Sequence, residues 1–233
     1  MSDGSGIIGW QKYSFIDFPG TISTVLFFGG CNLRCPYCHN PDIVLNRLPQ
    51  ISLSEITEYL LKRKGAIEGV VFSGGEPTLH SSLPEIISGI RNIGYKVKID
   101  TNGLNPDMVS LCGPDYLAMD LKTSFERYAE LGCTLPDAQK RIGHTLQIVK
   151  AMGENAEVRI TVAPHFTDRD AIEKMAEVLQ GVNKVFLQPV QLHIPVIDPE
   201  FAGNPQLPEG SIENFRNVIG RFAGSCIIRS ETA

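Results

Sequence analysis

Three cysteines stand within eight residues of one another in the stretch "FGGCNLRCPYCHN", residues 28–40. At C-x3-C-x2-C spacing, Cys31, Cys35 and Cys38 can wrap a single metal centre from one short loop. A structural zinc would need a fourth ligand, and His39 directly follows Cys38, too close to fold back easily. A four-iron cube with three thiolates and one open iron fits the count better. The bland reading is three reduced core cysteines. Cys112, Cys133 and Cys226 are scattered, and read as ordinary buried thiols.

Other residues with chemical potential fall in short polar runs. "SGGEP" holds Gly74 and Gly75, whose missing side chains let backbone approach a ligand, then Glu76 as an acceptor and Pro77 to stiffen the turn. "DTNG" holds Asp100, Thr101 and Asn102, and can be a plain turn because Asn-Gly favours positive φ. Asp120 and Lys122 flank Leu121, so both point to the same side of a strand. Inside a fold such a pair is costly without a partner, which a zwitterionic ligand would supply; on a surface it is only an ion pair. Arg159 is the one charge inside "VRITV", and its guanidinium suits a carboxylate.

The elements that must carry these residues alternate along the chain. β-branched and aromatic runs predict strands at 22–28, 69–73, 95–100, 115–121, 157–163 and 183–188, with an edge piece at 226–230. Helical periodicity covers 53–64, 83–93, 105–112, 136–152 and 169–180. Ser52 and Glu55 read as a capping box before the first of these. Six strands with helices between them predict an α/β fold, a parallel sheet closed into an open, partial (β/α)6 barrel. In such sheets ligands sit at the carboxyl ends of the strands, where the cysteines, "SGGEP", "DTNG", "DLK" and "QPVQLH" fall in turn. The chain reads as one domain, 1–233, with its core at about 20–190. Residues 191–233 add a loop, a helix and the edge strand, and the Pro- and Gly-rich 192–211 is a covering loop.

At 233 residues, with 42% apolar and 20% charged residues, the composition is that of a globular protein able to bury its own core. A net charge of −5 argues against a nucleic-acid binder. No apolar run approaches a membrane span, and "MSDGSGIIGWQKYS" is not a secretory signal. A cytoplasmic setting follows, where clustered thiols stay reduced and bind metal.

"CNLRCPYC" resembles the cluster loop of radical S-adenosylmethionine enzymes, with Tyr37 as the aromatic residue before the third cysteine. The longer run "SFIDFPGTISTVLFFGGCNLRCPYCHN" is similar to glycyl-radical-enzyme activases. "VFSGGEPTL", "IDTNG" and "LQP" look closest to anaerobic ribonucleoside-triphosphate reductase activating proteins, over about residues 12–190. The resemblance implies a [4Fe-4S] cluster on Cys31, Cys35 and Cys38, whose open iron chelates the amine and carboxylate of S-adenosylmethionine. It implies cofactor contacts from Tyr37, His39, Gly74, Gly75, Glu76, Thr101, Asn102, Asp120, Lys122 and Arg159. It also implies a monovalent cation on Asp100 and Thr101. Related activases carry a histidine two residues after the strand-six proline; here that position is Gln191, with His193 the candidate replacement. The implied partners are a glycyl radical enzyme, entering by the "DFPG" turn and the 192–211 loop, and a flavodoxin or ferredoxin reductant. A small-molecule enzyme of the 7-carboxy-7-deazaguanine synthase type is the competing expectation. A non-catalytic cluster or zinc module is a third, disfavoured by the further blocks at strand ends.

Overall fold

The computed structural model describes residues 4–191, 194–203 and 206–229. The chain divides into two compact units, the first made of 1–32, 40–101 and 107–117, the second of 33–39, 102–106 and 118–233. In the first unit, β1 (Ile7–Ser14) pairs antiparallel with β2 (Ser23–Phe28). β3 (Gly69–Gly74) and β4 (Lys96–Thr101) then follow in parallel, in sequence order. The turn α1 (Pro41–Val44) and the helices α2 (Leu53–Lys62), α3 (Leu83–Ile93) and α4 (Pro106–Cys112) connect them. β5 (Tyr116–Asp120) begins in the first unit and ends in the second. The second unit continues with α5 (Ala138–Met152), β6 (Ala156–Val162), α6 (Arg169–Val178) and β7 (Lys184–Pro189), then α7 (Ser211–Ile219) and β8 (Ser225–Ile228). Here β6, β7 and β8 are parallel, and β8 is the edge addition expected from the sequence.

The α/β class and its parallel strands come from runs buried on both faces, such as Val70, Val71 and Phe72 of β3, which are fully excluded from solvent. Phe18, Val25, Val71 and Tyr116 make one compact core group of the first unit. Helix α3 buries Leu83, Ile86, Ile87 and Ile90 on one stripe and stops at Gly94, whose φ of 108° is a left-handed cap. Asp168 caps α6 by accepting from the Ala171 amide.

Two expectations are corrected. Ser52 does precede α2 in extended conformation, but its side chain makes no cap bond; its hydroxyl pairs with that of Ser54, so there is no capping box. No strand is expected over 7–14 from the sequence pattern, whereas the structure adds β1 there. The "DFPG" turn precedes β2 and the Cys-His-Asn run follows it, the order that the resemblance implies. Ladder register sets Ile7 against Phe28 and Ser14 against Ser23, so the turn lies at the start of β2 and the cysteine loop at its end. Six residues of strand, about 20 Å, separate the two. Ser14 donates to Asp17 at 2.5 Å to hold the turn, and Phe15 and Ile16 project from it, 76% and 86% exposed.

Candidate active site

The first unit gathers its polar residues where β2, β3 and β4 end. Gly30, at a φ of +83°, donates to the Ile43 carbonyl and accepts from the Glu76 amide at 2.9 Å. Gly75 donates to the Phe28 carbonyl at 2.9 Å. A side chain on Gly75 would meet the Gly30 oxygen at 1.9 Å, and one on Gly74, at φ +118°, would strike the Phe28 amide at 2.4 Å. The two glycines therefore admit the backbone that leads into Cys31, which is a firmer reason for them than room for a ligand amine.

Glu76 is 1% exposed. One of its oxygens accepts from the Thr78 amide, the Thr78 hydroxyl and, at 2.8 Å, the Thr101 hydroxyl. It thus ties the end of β3 to the end of β4. Asp100 accepts from the buried Lys98 ammonium at 2.5 Å and from Ser73 at 3.1 Å. Among Lys98, Glu76 and Asp100 one negative charge is in surplus, an arrangement suited to an ammonium group. A metal cation on Asp100 and Thr101 does not fit: the carboxylate is already neutralised by Lys98, and the Thr101 proton points to Glu76.

The second unit holds the rest of the cysteine loop. Cys35 is buried and Cys38 half-buried, with the Cys38 amide closing a turn on the Cys35 carbonyl at 3.0 Å. Burial pushes the Cys35 thiol up, while the Lys122 ammonium pulls it back. Tyr37 packs against Phe166 and Phe201 at 5.5 and 5.7 Å between ring centres. Its hydroxyl is buried without a well-formed hydrogen bond; burial first, then Cys35, holds it well above the usual tyrosine range. His39 bonds to the Gln191 carbonyl at 2.9 Å through Nε2. Ile197 and Asp198 donate their amides to Cys38 and Pro36, at 2.9 and 3.0 Å. The segment leaving β7 is thus laced to the cysteine loop by backbone bonds, as expected of a covering loop. His193 lies outside the described residues.

Asp120 sits between two cations, accepting from Arg159 Nε at 2.8 Å and Lys122 Nζ at 3.1 Å. Burial would raise its carboxyl, yet Arg159 and then Lys122 overwhelm that and hold it well below the usual carboxylate range. Tyr128 braces the group by accepting the Lys122 amide proton at 3.1 Å. One positive charge is in surplus, which suits a carboxylate. Asn102 holds a turn, accepting from the Leu104 amide at 3.1 Å beside Gly103, whose φ is +81°.

The sequence reading missed Lys98, Ser73, Tyr128, Phe166 and Phe201. Only Lys98 carried a signal, since a lysine two residues before Asp100 shares its side of β4.

Among the described residues no three His, Cys, Asp or Glu side chains close on a single metal ion. An iron–sulfur cube binds its thiolates at separate corners and does not ask them to converge. Three cysteines outside any disulfide on one loop, a lysine whose charge offsets part of the burial that raises the Cys35 thiol, and a buried tyrosine hydroxyl beside it fit such a cluster.

The family model for the radical SAM superfamily matches residues 25–179. A Methanocaldococcus jannaschii protein named "Putative glycyl-radical enzyme activating enzyme" is 30% identical over 97% of this chain and 95% of its own. The pyruvate formate-lyase-activating enzyme of Clostridium pasteurianum is 30% identical over 75% of this chain and 76% of its own. The crystal structure of QueE from Escherichia coli shares the fold, with a TM-score of 0.55 at 15% identity, over 97% of this chain and 93% of that one. The chain therefore belongs to the radical S-adenosylmethionine superfamily and, within it, to the glycyl-radical-enzyme activating enzymes.

Proposed function

We propose that the protein installs a glycyl radical on an anaerobic ribonucleoside-triphosphate reductase, with a flavodoxin or ferredoxin as reductant, in the cytoplasm. The observation that carries this reading is a likeness to an activating enzyme along 97% of the chain, with the cysteine loop intact. When bound, the cluster supplies the electron that cleaves S-adenosylmethionine and hence a radical able to take a hydrogen atom.

The chain's own residues do the holding. Cys31, Cys35 and Cys38 bind iron, and Lys122 eases Cys35 toward thiolate. Glu76, anchored by Thr78 and Thr101, faces the methionyl ammonium. Lys122 and Arg159, fixed by Asp120, hold the carboxylate. His39 with the backbone at Gln191 borders the nucleoside, and Tyr37, backed by Phe166 and Phe201, keeps water from the cluster. A glycine α-hydrogen is a sound target because no side chain hinders approach and both flanking amides stabilise the radical.

The test mixes reduced protein, S-adenosylmethionine and the candidate reductase without oxygen and records the paramagnetic resonance spectrum. A doublet that collapses on α-deuteration of the partner's glycine supports the reading. Cofactor turnover with a deazapurine precursor and no glycyl signal gives the case to the small-molecule alternative.

A further inference from the structure

Lys98 is 2% exposed, on a strand whose neighbouring Lys96 is out in solvent. Lysine is almost never buried to this degree unless paired, and a buried ion pair is often no more stable than a well-packed apolar pair of similar volume in its place. What the ammonium does is specific. Lys98 and Asp100 are two apart on β4, so they share one face. Phe72 of β3 is in register with Ile99, which brings Ser73 beside Asp100. The Asp100 carboxylate therefore receives an ammonium from below and a hydroxyl from the side. Thr101, the next residue, is bound to Glu76, and Gly75 before Glu76 touches the backbone that opens into Cys31. A carboxylate at this strand end, one residue from that network, would be costly to keep charged alone.

We infer that the Lys98 ammonium is a built-in monovalent cation, neutralising Asp100 so that the strand end is formed without any bound metal cation. The role of that strand end in cofactor binding rests on the function proposed above; the internal cation does not. Lys98 is thus a positioning residue, acting through Asp100.

The experiment uses the reconstituted full chain and needs neither S-adenosylmethionine nor a partner, so its failure is separable from failure of the proposed function. Thermal unfolding is compared in potassium and tetramethylammonium chloride at equal ionic strength, and thallium(I) binding is followed by 205Tl resonance. The wild type should melt alike in both salts and bind no thallium that potassium displaces. Lys98→Met should melt roughly 10 °C lower in tetramethylammonium, the loss expected on stranding a buried charge. Potassium should restore much of that, and thallium should now bind in competition with it. The double variant Lys98→Met with Asp100→Asn should lose the potassium response. Competitive thallium binding by the wild type overturns the inference, as does a folded Lys98→Met that responds to neither ion. Should Lys98→Met not fold in either salt, the wild-type arm alone decides.

Discussion

Gly75→Ala offers a clean perturbation, because Gly75 has no left-handed backbone and the change is purely one of space. The new methyl would start 1.9 Å from the Gly30 carbonyl oxygen and 2.6 Å from its carbon. Ordinary contact begins at 3.4 Å, so the end of β3 and the loop entering Cys31 must part by about 1.5 Å. That stretches both hydrogen bonds that join them, Glu76 to Gly30 and Gly75 to Phe28, each 2.9 Å now. Two lost bonds at about 1 kcal/mol apiece, with strain added, make a destabilisation of roughly 2–4 kcal/mol. For a chain of this length that lowers Tm by about 5–15 °C. A shift of this size also exceeds the roughly 0.5 Å tolerance of a preorganised site. Iron and sulfide per chain should therefore drop along with Tm. Gly143→Ala on α5 is the control: its added methyl meets open space, and helix propensity should raise stability by up to about 1 kcal/mol. A Gly75→Ala protein with the wild-type Tm and full cluster content would refute the argument that the glycines exist to dock the loop.

Cys31→Ala, Cys35→Ala and Cys38→Ala should each abolish the broad visible absorbance of reconstituted protein, and alanine at Cys112, Cys133 or Cys226 should leave it; full iron in Cys35→Ala would exclude the assigned ligands. Arg159→Ala and Lys122→Ala should weaken S-adenosylmethionine binding by roughly ten- to a hundred-fold in calorimetry, the range for hydrogen bonds to charged groups; unchanged affinity in both would remove the carboxylate role. The Asp120 carboxyl titrates lower folded than unfolded, so its stabilisation is complete above about pH 4, its unfolded value, and is lost as pH falls from there toward the folded value. The margin in Tm between wild type and Asp120→Asn should shrink steadily below pH 4; a margin that grew on acidification would contradict the assignment.

Strands were legible wherever both faces are buried. β2 through β7 lie within a residue or so of the runs read from sequence, because β-branched and aromatic side chains packed on two sides leave no other periodicity. β1 was not legible: Gly9 interrupts it and Gln11, Lys12 and Tyr13 are exposed, so neither alternation nor a continuous apolar run marks it. The capping box failed because a serine two residues on competed for the Ser52 hydroxyl. In the site, the pairing of Asp120 with Lys122 followed from strand geometry alone, but its third member needed the fold, since Arg159 is 39 residues away. Lys98 is hard to single out from sequence, because alternating charge on a strand ordinarily means a solvated face. The aromatic backing of Tyr37 joins residues from three separate segments, a convergence no local pattern encodes.

The lacing of the cysteine loop has a consequence for biogenesis. His39 and Gln191 are separated by 152 residues, and the amides that bind Pro36 and Cys38 come later still. At synthesis rates of about 5–20 residues per second, the thiols leave the ribosome roughly 8–30 s before their cover is made. During that interval the loop is open to whatever delivers iron and sulfide, and equally open to oxidants. Ile197 and Asp198 contribute main-chain amides, so those two bonds do not depend on which side chains stand there, proline excepted.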